Sequence, residues 1–336
     1  MQSPPADGKA ISVEGLGKRF GKVVALDGIS FEVAAGAVLG LLGPNGAGKT
    51  TTVRILTTIL RPDQGRATVL GIDVARNSQA VRERIGLAGQ YAAVDENLTG
   101  RENLRLIGRL THQSGSVVKK RAGELIERFG LAAAADRVAR TYSGGMRRRL
   151  DLAAALIHKP PVLFLDEPTT GLDPASRSEL WEVIAELVAD GTTLLVTTHY
   201  LEEADRLANR IIVIDGGKII AEGTAAELKS RIGGVVVEVA LADQAQAARA
   251  SAALGAVGTC SLTPGGKTVE IKVSDGTRTL VNVVRILDQE RLEPISLAMR
   301  ESTLDDVFLT LTGHKAASNK AEPAPGGRRR SRWGEG

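Results

Sequence analysis

The sequence is poor in cysteine, in aromatic residues and in long apolar runs. Cys260 is the single cysteine among 336 residues, so no disulfide can form within the chain, and a reducing compartment is the simple interpretation. Aromatic residues make up only 3% of the chain. No apolar run approaches the roughly 20 residues that a membrane-spanning helix needs. Residues 1–5 lack the charged and apolar regions of a signal peptide, so we expect no secretion signal.

Neither sign of charge dominates the body of the chain. Six of the 43 lysine and arginine residues and two of the 39 acidic residues lie from His314 onward, so residues 1–313 carry 37 of each sign. A basic excess over a whole domain is the usual mark of a nucleic-acid binder. We therefore expect no nucleic-acid partner, and only the C-terminal tail, residues 314–336, is basic.

A glycine-rich stretch, residues 43–50, matches the pattern G-x-x-x-x-G-K-[ST] of a phosphate-binding loop. Residues 37–42 before it predict a buried strand, and residues 50–60 after it have helical apolar spacing. Glycine lets successive backbone N–H groups face phosphate oxygens, and the helix N-terminus adds its positive end. We predict that Lys49 reaches the β- and γ-phosphates and that the Thr50 hydroxyl binds Mg²⁺. A glycine-rich turn that matches by chance is the alternative.

Two later apolar runs also end in chemically active side chains. Residues 162–165 predict a buried strand that is followed by Asp166 and Glu167, and residues 193–198 predict another that is followed by His199. Ligands of open α/β folds lie at the carboxyl edge of the sheet. An aspartate there can hold Mg²⁺, usually through water, and a glutamate can activate the attacking water. His199 is either structural or, as its position favours, a contact to the γ-phosphate.

The rest of the first 232 residues gives a mixed α/β pattern. Residues 11–36 alternate and break at glycines, which predicts short antiparallel strands. Most of residues 91–161 has helical apolar spacing, residues 211–220 predict a hairpin, and residues 224–231 predict a closing helix. Phe20 lies in the first of these segments, where it either belongs to the core or stacks on an adenine ring.

Six elements of the sequence, in their order, resemble the ATP-binding subunit of an ABC transporter. They are residues 43–50, Gln90, the signature Tyr142-Ser143-Gly144-Gly145-Met146, the acids Asp166 and Glu167, Gly171-Leu172-Asp173, and His199. The resemblance covers about residues 11–230. The stretches around residues 89–104, 142–151 and 302–308 are similar to the drug-exporter branch typified by daunorubicin-resistance ATP-binding proteins.

The signature departs from the commonest pattern of that family. It opens with Tyr142 where leucine is usual and ends with Met146 where glutamine is usual, and Phe20 stands where tyrosine is more common. The loss of the glutamine side chain removes one polar contact, but the backbone donors remain. We therefore expect the activity to survive.

The resemblance implies a fold and a set of roles. The fold is an α/β P-loop ABC ATPase cassette, with a RecA-like core and a helical subdomain at about residues 91–161. Two copies of the chain would hold two ATP molecules head to tail, because the helix that begins at Ser143 closes over the γ-phosphate of the second subunit. Glu167 would be the general base, and His199 would hold the γ-phosphate and the attacking water. Gln90 would contact Mg²⁺ and the membrane part, and Asp173 would couple the two sites.

The predicted site combines these roles with the residues read directly. The nucleotide-binding residues are Phe20, Gly43, Pro44, Asn45, Gly46, Ala47, Gly48, Lys49, Thr50, Thr51, Ser143, Gly144, Gly145 and Asp173. The Mg²⁺ ligands are Thr50, Gln90 and Asp166, and the catalytic residues are Glu167, His199 and Gln90. The implied cofactors are ATP and Mg²⁺. The implied partners are a second copy of the chain and an integral-membrane permease, which place the protein at the cytoplasmic face of the membrane.

Residues 233–313 predict a second, smaller α+β domain, after a flexible leader at residues 1–10 and a cassette at residues 11–232. Its elements follow the order βαββαβ, which is typical of a ferredoxin-like module. A second dimer contact, a regulatory role and an inert spacer are all open for this domain.

The function that the resemblance implies is ATP-driven export of a hydrophobic drug, antibiotic or secondary metabolite through a separate permease. The alternatives are a soluble ABC ATPase that acts on ribosomes or DNA, and an importer ATPase. The first class usually has two cassettes or a long coiled coil, and the second more often ends in a β-barrel. The sequence predicts none of these features.

The tail is rich in proline, glycine and alanine, a composition that predicts disorder. Its basic cluster, residues 328–333, suggests a second hypothesis, that the tail makes weak contact with anionic lipid. Near such a surface each basic residue contributes about 1 kcal/mol. Deletion of residues 328–333 is therefore expected to reduce sedimentation of the protein with anionic liposomes and to leave neutral liposomes unaffected. Unchanged sedimentation with anionic liposomes would contradict the hypothesis.

Overall fold

The computed structural model describes residues 8–89, 94–198, 200–231, 234–263, 265–273 and 276–312. The strands are β1 (Lys9–Phe20), β2 (Val23–Ala34), β3 (Val38–Leu42), β4 (Gln64–Val69), β5 (Ile72–Asp73), β6 (Ile85–Ala88), β7 (Val162–Asp166), β8 (Thr193–Thr198), β9 (Arg210–Asp215), β10 (Lys218–Gly223), β11 (Val235–Ala240), β12 (Thr259–Leu262), β13 (Thr268–Val273) and β14 (Ser296–Glu301). The helices are α1 (Lys49–Leu56), α2 (Ser78–Arg82), α3 (Gly100–Leu110), α4 (Gly115–Arg128), α5 (Gly144–Ala155), α6 (Pro174–Ala189), α7 (Leu201–Leu207), α8 (Ala225–Arg231), α9 (Gln244–Leu254), α10 (Gly276–Gln289) and α11 (Leu304–Thr312).

Two sheets form the first domain. The central sheet has the order β10-β9-β3-β8-β7-β6, in which the last five strands run parallel and β10 pairs antiparallel with β9. The second sheet is antiparallel and has the order β2-β1-β4-β5. The carboxyl ends of β3, β7 and β8 therefore meet at one edge of the central sheet, which is the arrangement that the strand pattern predicts.

The central sheet is buried on both faces. Along β7, Leu163 and Leu165 belong to a core shared with α3, α4, α5 and α6. Val162 and Phe164, which point to the other face, belong to a core shared with α1 and the antiparallel sheet. Burial on both faces explains why these strands are continuous apolar runs with no polar alternation.

The helical block consists of α3, α4 and α5 between β6 and β7, which confirms the predicted helical region. Thr99 caps α3 through a reciprocal pair with Glu102: the Thr99 hydroxyl accepts from the Glu102 N–H, and the Glu102 carboxylate accepts from the Thr99 N–H. Tyr142, the first residue of the signature, is buried and donates its hydroxyl to the carbonyl of Ala134 at 2.6 Å. An aromatic at this position therefore belongs to the core of the block.

The C-terminal domain is an antiparallel sheet of order β12-β13-β11-β14, with α9 and α10 packed on one face. Numbered within the domain, this is the order 2-3-1-4 of a split βαβ arrangement, so the ferredoxin-like prediction is confirmed. On the other face, Arg300 forms ion pairs with Glu238, Glu270 and Asp306. Asp306 lies on α11, so this cluster ties α11 to the sheet.

The apolar side of α11 packs against the first domain. Leu304, Val307 and Phe308 share a buried cluster with residues of β3, α7, β9, β10 and α8. The sequence predicts a domain boundary between residues 232 and 233, which assigns α11 to the second domain. The apolar side chains of α11 nevertheless pack in the core of the first domain. The last described helix thus belongs to the second domain by sequence and to the first by its core.

Some boundaries differ from the sequence prediction. β1 begins at Lys9, within the predicted leader. α1 ends at Leu56 although the apolar spacing continues to residue 60, because Thr58 is left-handed at φ 65° and the N–H groups of Ile59 and Leu60 both turn back to the Arg54 carbonyl. The predicted disordered tail, residues 314–336, lies outside the described residues. Across the helices that the structure describes, none combines the length and apolar character of a bilayer span.

The packing of α11 gives a stability prediction. Phe308 is 4% exposed, so Phe308→Ala is expected to lower the free energy of unfolding by about 3–5 kcal/mol through lost burial and the cavity left behind. Leu309, its neighbour on the same helix, is 37% exposed, and Leu309→Ala is expected to change it by less than about 0.5 kcal/mol. Urea unfolding of the two variants measures the difference, and equal effects would show that α11 does not contribute to the core.

Candidate nucleotide-binding site

The loop between β3 and α1 curls tightly because glycine stands where a side chain cannot fit. A β-carbon on Gly43 would lie 2.3 Å from the Ile214 carbonyl oxygen, and one on Gly48 would lie 2.6 Å from the Ala25 carbonyl oxygen. Gly48 also has φ 113°, which disfavours other residues. Residues 44–51 and Glu167 line a cavity of about 320 Å³ at this loop. The predicted phosphate loop therefore has the required fold, directly before a helix N-terminus.

Lys49 lies in the wall of this cavity with a side chain only 4% exposed. Its ammonium donates to the carbonyls of Gly43 and Pro44 at 2.8 and 3.2 Å, and it lies 3.5 Å from Glu167 Oε1. Burial lowers the pKa of Lys49, and the negative charges of Glu167 and Asp166 oppose that change. The loop thus holds its one cation beside the carboxylate that the sequence identifies as a base.

The Asp166 carboxylate joins the ends of β7 and β8 to the start of α1. Its Oδ1 accepts from the Thr197 hydroxyl of β8 at 2.6 Å and from the hydroxyl of Thr50, in the helix that follows β3, at 3.3 Å. Asp166 is 4% exposed and Thr197 is fully buried. The two predicted Mg²⁺ ligands that the structure describes, Thr50 and Asp166, therefore lie together.

Glu167 follows Asp166 in a left-handed backbone conformation, with φ 50°. For a residue with a β-carbon this conformation costs roughly 1–2 kcal/mol and persists only where neighbours hold it. The Glu167 N–H donates to the carbonyl and the hydroxyl of Thr197, at 3.1 and 3.0 Å. The turn at Glu167 directs its side chain away from the strand and towards Lys49.

A buried polar cluster lies behind the edge. The Glu203 carboxylate of α7 accepts from the hydroxyls of Thr169 at 2.5 Å and Thr198 at 2.7 Å, and it lies 3.8 Å from Arg177. Burial raises the pKa of Glu203, while these hydrogen bonds and the Arg177 charge oppose the change. The cluster connects the loop after Glu167 with the end of β8 and with α6.

The signature residues form the start of α5. The Ser143 hydroxyl caps this helix by accepting from the Met146 N–H at 3.2 Å. A β-carbon on Gly145 would lie 2.8 Å from the Ser176 hydroxyl, so glycine allows α5 to approach the start of α6. Asp173 caps α6 by accepting from the Ser176 N–H and hydroxyl, and these hydrogen bonds lower the pKa of Asp173. The signature and Asp173 are thus neighbours in one subunit.

Phe20 lies at the end of β1 and is 48% exposed, with the Lys18 ammonium 5.6 Å from the centre of its ring. Of the two interpretations that the sequence left open, a core role does not agree with this exposure. Gln90 and His199, two of the three predicted catalytic residues, lie outside the described residues. Of the other predicted residues, those at positions 43–51, 166 and 167 lie around the phosphate loop, and those at positions 143–145 and 173 lie at the adjoining starts of α5 and α6.

Sequence reasoning missed three polar residues of the site. They are Thr197, Glu203 and Arg148, and the Arg148 guanidinium on α5 donates to the backbone carbonyls of Asp166 and Glu167. The sequence does carry a sign of the role of Thr197, because hydroxyl side chains are unusual near the C-terminal end of a strand that is buried on both faces. No comparable signal marks Glu203 or Arg148, since both lie on helices whose pattern also fits solvent-facing charges.

The donor set fits a nucleotide with Mg²⁺. One hydroxyl and one carboxylate oxygen stand together at Thr50 and Asp166, and Mg²⁺ prefers few protein oxygens with water and phosphate completing its shell. The backbone donors of the loop and the Lys49 cation suit phosphate oxygens. The chemistry of these residues therefore matches both implied groups.

Comparison with known proteins identifies relatives over nearly the whole chain. The family described as ABC transporter matches residues 26–170. Daunorubicin resistance ATP-binding protein DrrA2 of Streptomyces coeruleorubidus is 53% identical over 320 residues, which are 95% of this chain and 99% of that protein. Daunorubicin/doxorubicin resistance ATP-binding protein DrrA of Streptomyces peucetius is 49% identical over 94% of this chain and 96% of that protein. Among solved structures, a dimeric ATP-binding cassette in a post-hydrolysis state with ADP and Pi is 26% identical, with a TM-score of 0.59 over 64% of this chain and 98% of that chain.

The buried Glu203 gives a pH prediction. Because its folded pKa lies above the ordinary 4.5, the stability that its proton contributes is present below pH 4.5 and is lost as the pH rises through the folded pKa. Glu203→Gln stays neutral, so the free energy of unfolding of the variant relative to the native protein is expected to rise with pH above 4.5. Each unit of raised pKa adds about 1.4 kcal/mol to this rise.

Urea unfolding between pH 4.5 and 8 measures the effect, with Glu182→Gln, an exposed site on α6, as the matched control. A difference between Glu203→Gln and the native protein that does not change with pH would contradict the assignment of a buried carboxyl group with a raised pKa.

Proposed function

This chain belongs to the ATP-binding proteins of ABC transporters, in the daunorubicin/doxorubicin-resistance branch, and from that premise we propose that it hydrolyses ATP to drive export. The observation that carries the proposal is the grouping of Lys49, Thr50, Asp166 and Glu167 at one sheet edge. The Thr50 hydroxyl lies 3.3 Å from Asp166 Oδ1, and the Lys49 ammonium lies 3.5 Å from Glu167 Oε1. Phosphate binding, metal binding and water activation need these residue types close together.

ATP binds with its phosphates along residues 43–51. Backbone N–H groups of the loop and the start of α1 face the phosphate oxygens, and Lys49 neutralises the β- and γ-phosphates. Phe20, exposed beside Lys18, offers its ring face to the adenine. Thr50 and Asp166 hold Mg²⁺, and Gln90 is the third proposed ligand; when bound, the ion supplies charge neutralisation at the phosphates.

Glu167 acts as the general base towards the attacking water. Its left-handed backbone presents the carboxylate to the cavity that the phosphate loop lines, next to Lys49. A base in this position contributes typically 10²- to 10⁴-fold to the rate. His199 follows β8 in sequence, and its proposed role is to hold the γ-phosphate and the attacking water.

The active unit is a head-to-tail dimer. Ser143, Gly144 and Gly145 form a helix start that lies beside a second cavity, of about 520 Å³, which Glu167 also lines. A helix N-terminus is an anion site, and in the proposed dimer it closes over the γ-phosphate held by the other subunit. Asp173, beside this helix start, then couples the two sites.

A separate integral-membrane permease provides the pathway, and this chain acts at its cytoplasmic face. The export substrate is a hydrophobic drug, antibiotic or secondary metabolite, since the similar proteins are named for resistance to daunorubicin and doxorubicin. The C-terminal domain packs on the cassette through α11.

Replacement of the base gives the test of the catalytic role. Glu167→Gln keeps the size of the side chain but cannot accept a proton, so ATP binding is expected to persist while hydrolysis falls by roughly 10²- to 10⁴-fold. Nucleotide binding by fluorescence and phosphate release measure the two quantities. Glu182→Gln is the control with native rates, and native hydrolysis by Glu167→Gln would contradict the assignment.

The same variant tests the transporter role. A tagged Glu167→Gln protein, solubilised from membranes of its host with ATP present, is expected to co-purify with one multi-span membrane protein. Recovery from the soluble fraction with ribosomes or DNA-associated proteins would instead favour a soluble ABC ATPase. A permease obtained in this way then allows direct measurement of drug transport.

A further inference from the structure

Arg148 lies between the start of α5 and the backbone at Asp166 and Glu167. It lies on α5, five residues after Ser143, and its side chain is 13% exposed. Its guanidinium reaches carbonyl oxygens of two other segments of the chain. Nε donates to Pro168 at 2.6 Å, and Nη2 donates to Asp166 and Glu167 at 3.2 and 3.1 Å. Nη1 donates to Gly89, the residue before Gln90.

Three of these acceptors are the consecutive carbonyls around the proposed base. Carbonyls that converge on one point need a donor with several N–H groups in a plane, which only a guanidinium supplies. Arg148 also lies 3.4 Å from the Asp151 carboxylate, which is 1% exposed and balances its charge. Burial lowers the pKa of Arg148, and Asp151, Asp166 and Glu167 oppose the change.

The backbone of Glu167 is thus held from both sides. Its N–H is bound by Thr197 of β8, and its C=O is bound by Arg148 of α5. The left-handed conformation of Glu167 is one that a residue with a β-carbon adopts only when its surroundings impose it. Without Arg148 the carbonyls of residues 166–168 lose their shared donor, and the turn is free to relax.

We propose that Arg148 is a positioning residue that sets the direction of the Glu167 carboxylate and links it rigidly to the start of α5. The inference rests on the proposed function, in which Glu167 is the base and Ser143 contacts the nucleotide of the second subunit. Since the guanidinium and Ser143 belong to the same helix, a shift of α5 on nucleotide contact moves the carbonyls of residues 166–168. The base of one site thereby responds to closure over the other.

The test is Arg148→Lys, which keeps the positive charge that faces Asp151 but removes the planar set of guanidinium N–H donors. The single-turnover rate of ATP hydrolysis is expected to fall by roughly 10- to 100-fold, because the Glu167 carboxylate is no longer held in the productive direction. The dissociation constant for ATP is expected to change by less than about twofold, because Arg148 does not line the phosphate loop. Arg128→Lys is the matched control: Arg128 also pairs with two carboxylates, Glu186 and Asp190, but on α4 and away from the site, and native rates are expected.

A double variant separates positioning from general damage. If Arg148 acts through Glu167, then Arg148→Lys added to Glu167→Gln lowers the residual hydrolysis rate no further. Three results would each overturn the proposal. The first is a further loss of hydrolysis rate in the double variant as large as the loss in Arg148→Lys alone, and the second is a native hydrolysis rate for Arg148→Lys. The third is a loss of ATP binding by Arg148→Lys that parallels its loss of hydrolysis. If Arg148→Lys does not accumulate as folded protein, Arg148→Gln with Asp151→Asn removes the buried pair together, and the same outcomes apply.

The proposed function fails in a different way. A native hydrolysis rate for Glu167→Gln alone removes the base assignment whatever Arg148 does. A normal loss for Glu167→Gln together with a native rate for Arg148→Lys leaves the base in place and removes only the positioning role.

Discussion

The structure of the site depends on the convergence of three parallel strands at one edge of a sheet that is buried on both faces. At that edge Asp166, at the end of β7, accepts hydrogen bonds from Thr197 of the adjacent strand β8 and from Thr50 of α1, the helix that follows β3. β8 pairs with both β3 and β7, and the apolar runs of these strands fix their register. The site is therefore placed by the buried central sheet, and the glycine loop and the turn at Glu167 are attached to its strand ends.

Polar groups that the edge buries are satisfied by one another. Glu203 binds two threonine hydroxyls, and Arg148 binds carbonyls of two segments. Buried polar groups of this kind are costly unless fully partnered, and they then specify one arrangement. This explains how Glu167 is held in a left-handed backbone conformation, which sets the direction of its carboxylate.

The strands, the helical block and the ferredoxin-like order could be predicted from apolar periodicity and turn residues, and the phosphate loop from its pattern. The grouping of Lys49, Thr50, Asp166 and Glu167 also followed, because motif spacing and strand ends determine it. The tertiary roles of Arg148 and Glu203 could not be predicted, since a charged helical residue shows no sequence sign of being buried by a distant segment. The same holds for α11, whose apolar face does not reveal which domain it covers, and for the early end of α1, where a left-handed threonine overrides the periodicity.

The return of α11 to the cassette bears on biosynthesis. Residues 304–312 complete a buried cluster that contains Leu42 and Val213, which belong to the central sheet of the first domain. A chain made from its N-terminus reaches α11 after every other element that the structure describes, and domains generally fold as they emerge from the ribosome. Part of the cassette core therefore stays uncovered until the ribosome has passed residue 308. Premature termination anywhere in the second domain leaves an apolar surface on an otherwise folded ATPase, which marks such fragments for chaperones and proteases.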